Sequence, residues 1–166
     1  MRLAVVVAAV AAVVLVPASS GSDEATPLLA GPPASITQYG YVRSLTRTGA
    51  SYRLRFDPAL WLSGETANRA AIEDGVIGPG ETVPNDYYIR NESRRQLTYI
   101  LPRTARVTVV TNAGSGPRST RITVAELATI ARGGNLRGRK LYGRSLGYWA
   151  RVVGDRVVRL DQQYQP

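Results

Sequence analysis

The chain has 166 residues with 20 Arg, one Lys, 12 acidic residues, no His and no Cys, giving a formal net charge of +9. Without His and Cys there is no Ser-His-Asp or Cys-His catalytic machinery, no disulfide and no ordinary zinc, copper, haem or iron–sulfur site. The remaining carboxylates, hydroxyls and single lysine form no recognisable catalytic motif. The composition therefore favours a binding module over an enzyme, and it indicates no cofactor and no metal.

The first 18 residues have the pattern of a signal peptide. Arg2 gives a positive start, residues 3–16 are uniformly apolar, and small residues at 18–20 offer a cleavage position. A helix of this apolar length spans about 21 Å, less than the roughly 30 Å hydrocarbon core of a membrane. We therefore predict a secreted protein, extracellular or associated with the cell envelope, with no permanent membrane span after cleavage.

The mature chain is predicted to be a tether followed by one domain. Residues 19–35 are rich in Ser, Gly, Ala and Pro and have no hydrophobic periodicity, which is typical of a disordered segment. The folded part is expected at 36–166. About 130 residues are enough to enclose one hydrophobic core, so we expect a single α+β domain.

The domain begins with a predicted β-hairpin. Alternating apolar and polar residues predict strands at 36–43 and 52–56, joined by a turn at 48–51. Pro58 is expected to end the second strand, because proline cannot donate to the ladder. An Ala-rich helix is predicted to start near Ser63 and to stop at Asp74-Gly75, with its small side chains packed on a sheet.

The rest of the domain is predicted to alternate strands with a second helix. Residues 75–86 hold too many Gly and Pro for a regular element, whereas β-branched and aromatic runs predict three further strands. Those strands are expected at 87–91, 96–101 and 106–111. A glycine-bearing loop at 112–119 leads to a capping-box pattern, Thr123 with Glu126, and to a helix that ends at Gly133-Gly134.

A terminal hairpin completes the predicted fold. Its strands are expected at 146–153 and 156–160, joined by Gly154-Asp155. Hairpins in place of βαβ units indicate an antiparallel sheet or a small open, OB-like barrel with two short helices. The spacing of the residues does not distinguish the barrel from a strongly bent sheet.

Several sequence pieces support a family resemblance that covers nearly the whole mature domain. These pieces are residues 40–42, 56–59 with 61–65, 73–75, 85–91 and 163–166. In them the chain resembles an uncharacterised group of small secreted proteins of high-GC Gram-positive bacteria, the actinobacteria. The resemblance implies compartment and architecture, and it brings no catalytic residues to this chain.

Positive charge is concentrated in the second half of the domain. Residues 36–92 contain 6 Arg against 7 acidic residues, whereas residues 93–166 contain 14 basic residues against 3 acidic ones. The densest stretch is the Gly-rich segment 132–144, named here the basic segment. Its candidate anion-binding residues are Arg132, Arg137, Arg139, Lys140, Tyr142 and Arg144. Guanidinium groups and backbone amides suit phosphates and carboxylates, although such a charge run is also typical of a simple solvated loop.

The predicted secretion narrows the choice of partner. An anionic envelope polymer or lipid headgroups fit a basic extracellular domain better than nucleic acid does. A second hypothesis is a protein-binding module that uses a sheet edge, with another secreted protein as partner. Instead of a sheet edge, such a module could use the face of the strand at 87–91 on which Asp86, Tyr88 and Arg90 are expected. The alternative interpretation of that row is an internal ion pair between Asp86 and Arg90.

Two further possibilities depend on carboxylates. Loop residues Glu73, Asp74, Glu81 and Asp86 fall close together in sequence, as calcium ligands do, but they do not match the EF-hand spacing. A carboxylate-based hydrolase is the other alternative, with Asp57 paired with Asp86 or Glu65 as in a glycosidase.

Overall fold

A mixed β-sheet of nine strands with two helices forms the described part of the chain. The computed structural model describes residues 34–112 and 114–166, so the predicted signal peptide at 1–18 and nearly all of the predicted tether at 19–35 lie outside it. The strands are β1 (Ser35–Thr48), β2 (Ser51–Ser63), β3 (Tyr87–Arg90), β4 (Leu97–Pro102), β5 (Arg106–Asn112), β6 (Pro117–Ile122), β7 (Lys140–Leu141), β8 (Tyr148–Val153) and β9 (Arg156–Gln162). The helices are α1 (Gly64–Glu73) and α2 (Val124–Ala131).

The predicted α+β class is confirmed, but the sheet is not purely antiparallel. Its strands follow the order β3-β2-β1-β8-β9-β5-β6, with β4 paired to β2 and β9, and β7 paired to β5. β9 runs parallel to β5 and meets β4 in a single parallel bridge, Ile100 to Arg156. Parallel neighbours need a long crossover, and the chain from β6 through α2 to β8 supplies it between β5 and β9.

β2 is longer than the sequence predicts. It continues through Pro58 to Ser63, although proline was expected to end it. Pro58 pairs with Gly40 of β1 and stands between the stretch that pairs with β4, ending at Phe56, and the stretch that pairs with β3, starting at Leu60. The missing N–H therefore costs no ladder bond to a second neighbour, and the strand carries on.

Two strands were missed in segments predicted to be loops. β6 begins at Pro117, inside the predicted loop 112–119, and β7 lies inside the basic segment. Both are short and polar, and both are held by pairing to β5. Their pairing comes from a distant strand, so local hydrophobic alternation does not signal it.

The core lies on the inner face of the sheet, under α2. Inward residues of the terminal hairpin alternate with exposed ones, and they meet β2, β4, β5 and α2 in one cluster. Its most deeply buried side chains include Leu54, Phe56, Leu101, Val107, Val109, Val124, Leu127, Val152, Val157 and Leu160. The predicted capping box fixes α2, because Glu126 N donates to Thr123 Oγ1 at 3.1 Å and Thr123 N donates to the Glu126 carboxylate at 2.8 Å.

Helix α1 forms a second, smaller cluster. Its buried residues Ala67 and Ala71 pack with Val83, and Leu62 and Tyr88 of the neighbouring strands lie against them. The small side chains allow the helix to approach the sheet closely, as the Ala-rich sequence predicts. α1 therefore covers the part of β2 that extends beyond Pro58.

Gly40 marks the tightest crossing in the first hairpin. A Cβ atom at this position would lie 2.2 Å from the carbonyl oxygen of Asp57 and 2.9 Å from Cα of Pro58. Both contacts are with backbone, so the two strands would have to separate to admit a side chain.

We expect Gly40→Ala to lower the free energy of unfolding by about 1–3 kcal/mol, the usual cost of overpacking a buried position. Thr46→Ala, an exposed change on the same strand, is the control and should be close to neutral. Chemical denaturation of the three proteins measures both values. An unchanged midpoint for Gly40→Ala would contradict the close approach of the strands.

Candidate anion-binding face

The basic segment is structured, and two of its arginines are engaged in holding it. Arg139 forms an ion pair with Glu126 of α2 and donates to the carbonyl oxygen of Arg121 at 3.4 Å. Arg144 donates to the carbonyl oxygen of Gly134 at 2.8 Å and to Asn135 Oδ1. These contacts fold the segment on itself and against α2, in place of the open loop expected from the sequence.

The other four candidate anion-binding residues of this segment do not converge on one site. Arg132 is the C-terminal cap of α2, Arg137 is exposed, and Lys140 lies in β7. The ring of Tyr142 packs edge-on against Tyr164, with 5.0 Å between ring centroids. Lys140 and Tyr142 line a shallow hollow of about 670 Å³ together with Arg139 and Arg144, whereas Arg132 and Arg137 lie outside it. The segment is basic and accessible, but Arg139 and Arg144 already bond to other residues of the chain.

The predicted row of Asp86, Tyr88 and Arg90 is not formed as expected. Asp86 precedes β3 in a 3-10 turn with a φ of 57°, so it is not part of the strand face. Arg90 pairs with Asp74 at 2.7 Å and with Glu73 at 3.0 Å, not with Asp86. The suggested ion pair between Asp86 and Arg90 is therefore wrong, because the C-terminal end of α1 brings its own carboxylates to β3.

This cluster is a clamp between α1 and β3. The hydroxyl of Tyr88 donates to Asp74 Oδ2 at 2.9 Å, and Arg90 also donates to the carbonyl oxygen of Ala70 at 2.8 Å. Hydrogen bonds from Arg90 hold the pKa of Asp74 below its usual range, and the bond to Asp74 raises the pKa of Tyr88. Its charges are satisfied within the chain, so the cluster stabilises the fold and offers little to a ligand.

The structure also tests the two carboxylate alternatives. Asp74 is occupied by Arg90, and Glu81 accepts from the amide of Gly78 at 2.6 Å. Among the residues described, no three acidic side chains come close enough together to hold a metal ion. Asp57, the first member of the suggested hydrolase pair, is only 5% exposed and accepts from Arg43 Nε at 2.9 Å and Asn91 Nδ2 at 3.2 Å. A carboxylate so enclosed is not open to a substrate.

A cluster of aromatic rings occupies the outer face of the sheet. Tyr39 is buried at its centre, 5.1 Å from Trp61 and 5.2 Å from Trp149 between ring centroids. Trp61 stacks on Tyr87 at 4.4 Å with only 12° between the ring planes. The four partly exposed rings around Tyr39 are named here the aromatic platform. They are Tyr41, Trp61, Tyr87 and Trp149.

The C-terminal residues hold this platform in place. Trp149 Nε1 donates to Gln163 Oε1 at 3.0 Å, and Gln165 Nε2 donates to the hydroxyl of Tyr39 at 2.7 Å. These bonds satisfy the indole N–H of Trp149 and tie the hydroxyl of the central Tyr39 to the C-terminal segment. A rigid set of partly exposed rings is a surface on which flat apolar faces can stack.

Three arginines stand side by side next to the platform, on the same outer face. Arg151 of β8 pairs directly with Arg159 of β9, and Arg159 pairs directly with Arg106 of β5. All three are exposed. Arg151 is two residues beyond Trp149, so the two side chains share a face. We name Arg106, Arg151 and Arg159 the arginine row; Arg121 of β6, opposite Thr108, extends the same face.

Little negative charge balances the arginine row. The carboxylate of Asp161 accepts from Arg159 Nε and from Thr108 Oγ1, the latter at 2.7 Å. No ion pair to Arg106 or Arg151 is present among the described residues. Like charges placed directly opposite on neighbouring strands destabilise a sheet by a fraction of a kcal/mol, roughly 0.2–1 kcal/mol per pair. An anion bound across the row would relieve this repulsion.

Sequence reasoning missed the arginine row and most of the platform. Each strand carries a local signal, such as the spacing of Trp149 and Arg151, but the residues come from strands far apart in the chain. Cross-strand register decides which side chains meet, and a shift of one residue would send them to opposite faces. The excess of arginine in the second half of the domain indicated the right part of the chain but not which arginines meet.

Comparisons with known proteins assign no family to this chain. No family model, no curated protein and no solved structure matches this chain. Within the described residues, no helix has both the length and the apolar character needed to cross a membrane.

We expect Asp74→Asn to reduce the acid sensitivity of the fold. Because Arg90 and Tyr88 lower the pKa of Asp74 in the folded state, the ionised carboxylate stabilises the protein above its unfolded pKa. That contribution is lost as the pH falls through the folded pKa. The melting temperature of the wild type should therefore drop more than that of the variant between about pH 6 and pH 2.

Asp155→Asn is the matched control, since Asp155 lies in the exposed turn of the terminal hairpin, 4.0 Å from Arg156. It should keep the pH dependence of the wild type. Thermal melts at each pH measure all three proteins. If Asp74→Asn and the wild type lose stability in parallel on acidification, protonation of Asp74 is not what destabilises the folded protein.

Proposed function

We propose that this protein is a secreted binding module for an anionic, sugar-containing polymer of the cell envelope. The arginine row supplies fixed positive charge, and the aromatic platform beside it supplies stacking surface for sugar rings. The observation that carries the proposal is the direct pairing of Arg151, Arg159 and Arg106 across three neighbouring strands. A regular row of this kind fits repeated charges better than a single small anion.

The chemistry of the face supports a polymer of acidic sugars or sugar phosphates. Guanidinium groups match carboxylate, phosphate and sulfate oxygens with paired donors. Trp149 and Arg151 are two residues apart on one strand, so one polymer unit could stack while the next is held by charge. The predicted signal peptide at 1–18 supports an envelope polymer over nucleic acid.

The proposed architecture is a small open barrel of the OB-like type, with the site on its outer surface. Its support is a ring of pairings: β1 pairs with β2 and β8, β8 with β9, and β4 with both β9 and β2. The link between β4 and β9 is a single bridge, reinforced by the Ile100 amide donating to the Asp155 carbonyl oxygen at 3.0 Å. The resemblance to small secreted actinobacterial proteins is part of the same proposal.

The decisive comparison is between two triple variants that remove the same charge. One replaces the arginine row: Arg106→Gln, Arg151→Gln and Arg159→Gln. The other replaces the accessible basic segment: Arg132→Gln, Arg137→Gln and Lys140→Gln. Binding to heparin, used as a soluble acidic polysaccharide probe, is measured by titration at several salt concentrations.

We expect the arginine-row variant to bind heparin at least tenfold more weakly at about 0.1 M salt, with a shallower dependence of affinity on salt, because fewer counterions are released. The basic-segment variant should keep most of the wild-type affinity. Equal losses in the two variants would mean that net charge alone drives binding. A larger loss in the basic-segment variant would place the site at residues 132–144.

The same arginine-row variant should fold at least as stably as the wild type when no polyanion is present. Two directly opposed like-charge pairs are removed, and their relief, roughly 0.2–1 kcal/mol each, offsets the loss of the partly exposed Arg159–Asp161 ion pair, worth about 0–1 kcal/mol. Thermal melts in low salt measure this. A clearly lower melting temperature would show that the arginines stabilise the fold itself and would weaken the argument for a binding role.

A further inference from the structure

A second concave site lies away from the arginine row, beside α2. It is a hollow of about 540 Å³ between the bulged part of β1, helix α2 and the chain that leads into β8. Pockets that hold small organic ligands commonly measure roughly 300–1,000 Å³. We name it the α2 hollow. Its lining includes Arg43, Asn91, Leu127, Ile130, Arg144 and Tyr148.

One wall of the α2 hollow is apolar. Leu127 and Ile130 project from α2, one helical turn apart, and Leu146 and the ring of Tyr148 continue the surface. Leu127 and Ile130 belong to the main core and are 1% and 7% exposed, so each contributes only a small exposed patch of packed side chain to the wall. An apolar ligand segment laid against it would be removed from water without rearranging the protein.

The rim of the hollow carries Arg144, which forms no ion pair with any carboxylate in the part of the chain that the structure describes. The guanidinium of Arg144 is oriented by two uncharged acceptors, the carbonyl oxygen of Gly134 at 2.8 Å and Asn135 Oδ1. Arg43, on the opposite rim, is instead paired with the buried carboxylate of Asp57. Arg144 is thus held in place for a ligand, while Arg43 is already satisfied.

The hydroxyl of Tyr148 is a second candidate donor at the α2 hollow, independent of Arg144. Tyr148 is only 3% exposed, and its hydroxyl makes no hydrogen bond to any described residue. No fully enclosed side-chain oxygen of the described residues lacks a partner, so this oxygen keeps some exposed surface, and Tyr148 is one of the residues that line the hollow. Burial raises the pKa of Tyr148, so the phenol keeps its proton and remains a donor at neutral pH. A buried donor without an acceptor is costly unless a ligand or water supplies one.

We propose that the α2 hollow binds a small amphiphilic carboxylate, with the carboxylate accepting from Arg144 and Tyr148 and the apolar tail lying on Leu127 and Ile130. Asn91 offers a further polar contact at the rim. This site is separate from the arginine row, although Tyr41 of the aromatic platform also lines it, and it does not depend on the polymer-binding function.

The ligand class is tested with three probes that separate charge from tail. Decanoate, below its micelle-forming concentration, carries both; acetate lacks the tail, and decanol lacks the charge. Calorimetric titration at about 0.15 M salt limits non-specific electrostatic attraction. We expect saturable, one-to-one binding of decanoate, with acetate and decanol at least tenfold weaker. Decanol binding as well as decanoate would overturn the proposal, and so would absence of decanoate binding.

Variants then locate the bound decanoate. Arg144→Gln should weaken it by roughly tenfold or more, because a charge-assisted bond is lost, and Tyr148→Phe by roughly threefold to tenfold. Arg137→Gln, an exposed arginine of the same segment outside the hollow, is the matched control and should bind as the wild type does. Tyr148→Phe retains the buried ring, so its fold is checked by an unchanged melting temperature.

The affinities of these variants show whether decanoate binds in the α2 hollow. If Arg144→Gln and Tyr148→Phe are folded and bind decanoate with wild-type affinity, the ligand is not in the α2 hollow. The arginine-row variant should bind decanoate normally, and Arg144→Gln should bind heparin normally. Failure of one proposal is therefore distinguishable from failure of the other.

Discussion

The alternation of side chains along paired strands governs both the interior and the surface of this protein. Along β8, Tyr148, Ala150 and Val152 face inward, while Trp149 and Arg151 between them face outward. Because neighbouring strands are in register, the same alternation that assembles the core also aligns Arg151 with Arg159 and then with Arg106. Core burial fixes the register, since a slip of one residue would bury arginine and expose the apolar set. The exposed charges are thus placed by a strong hydrophobic constraint.

This hydrophobic constraint explains why the arginine row is retained although its charges repel one another. Burying the inward side chains contributes several times more free energy than the mutual repulsion of a few exposed arginines removes. Binding an anion recovers that smaller amount and stabilises the folded state further. Near α2, the inward residue Tyr148 lines the α2 hollow, and Tyr41 of the aromatic platform lines it as well. The two proposed sites therefore adjoin at Tyr41.

Local sequence signals predicted most elements but not their partners. The capping box at Thr123 and the turn at Gly154-Asp155 depend on neighbouring residues, and both were placed correctly. The parallel pairing of β5 with β9 depends on a crossover that leaves no periodic trace, so the sheet was expected to be antiparallel. Arg90 was assigned to Asp86, its near neighbour, because the position of Asp74 at the end of α1 is set by tertiary packing. The basic segment was recognised by its density of charge, which does not report how much of that charge the fold uses.

The central claim is that the outer face of β8, β9 and β5 is the polyanion-binding surface. The most direct measurement is an amide and indole chemical-shift map of the isotopically labelled protein during titration with a short heparin oligosaccharide. The account predicts that the largest shifts fall on Arg151, Arg159 and Arg106 and on the indole of Trp149, with saturation at one oligosaccharide per chain. Shifts confined to residues 132–144, or spread over all exposed arginines without saturation, would contradict it.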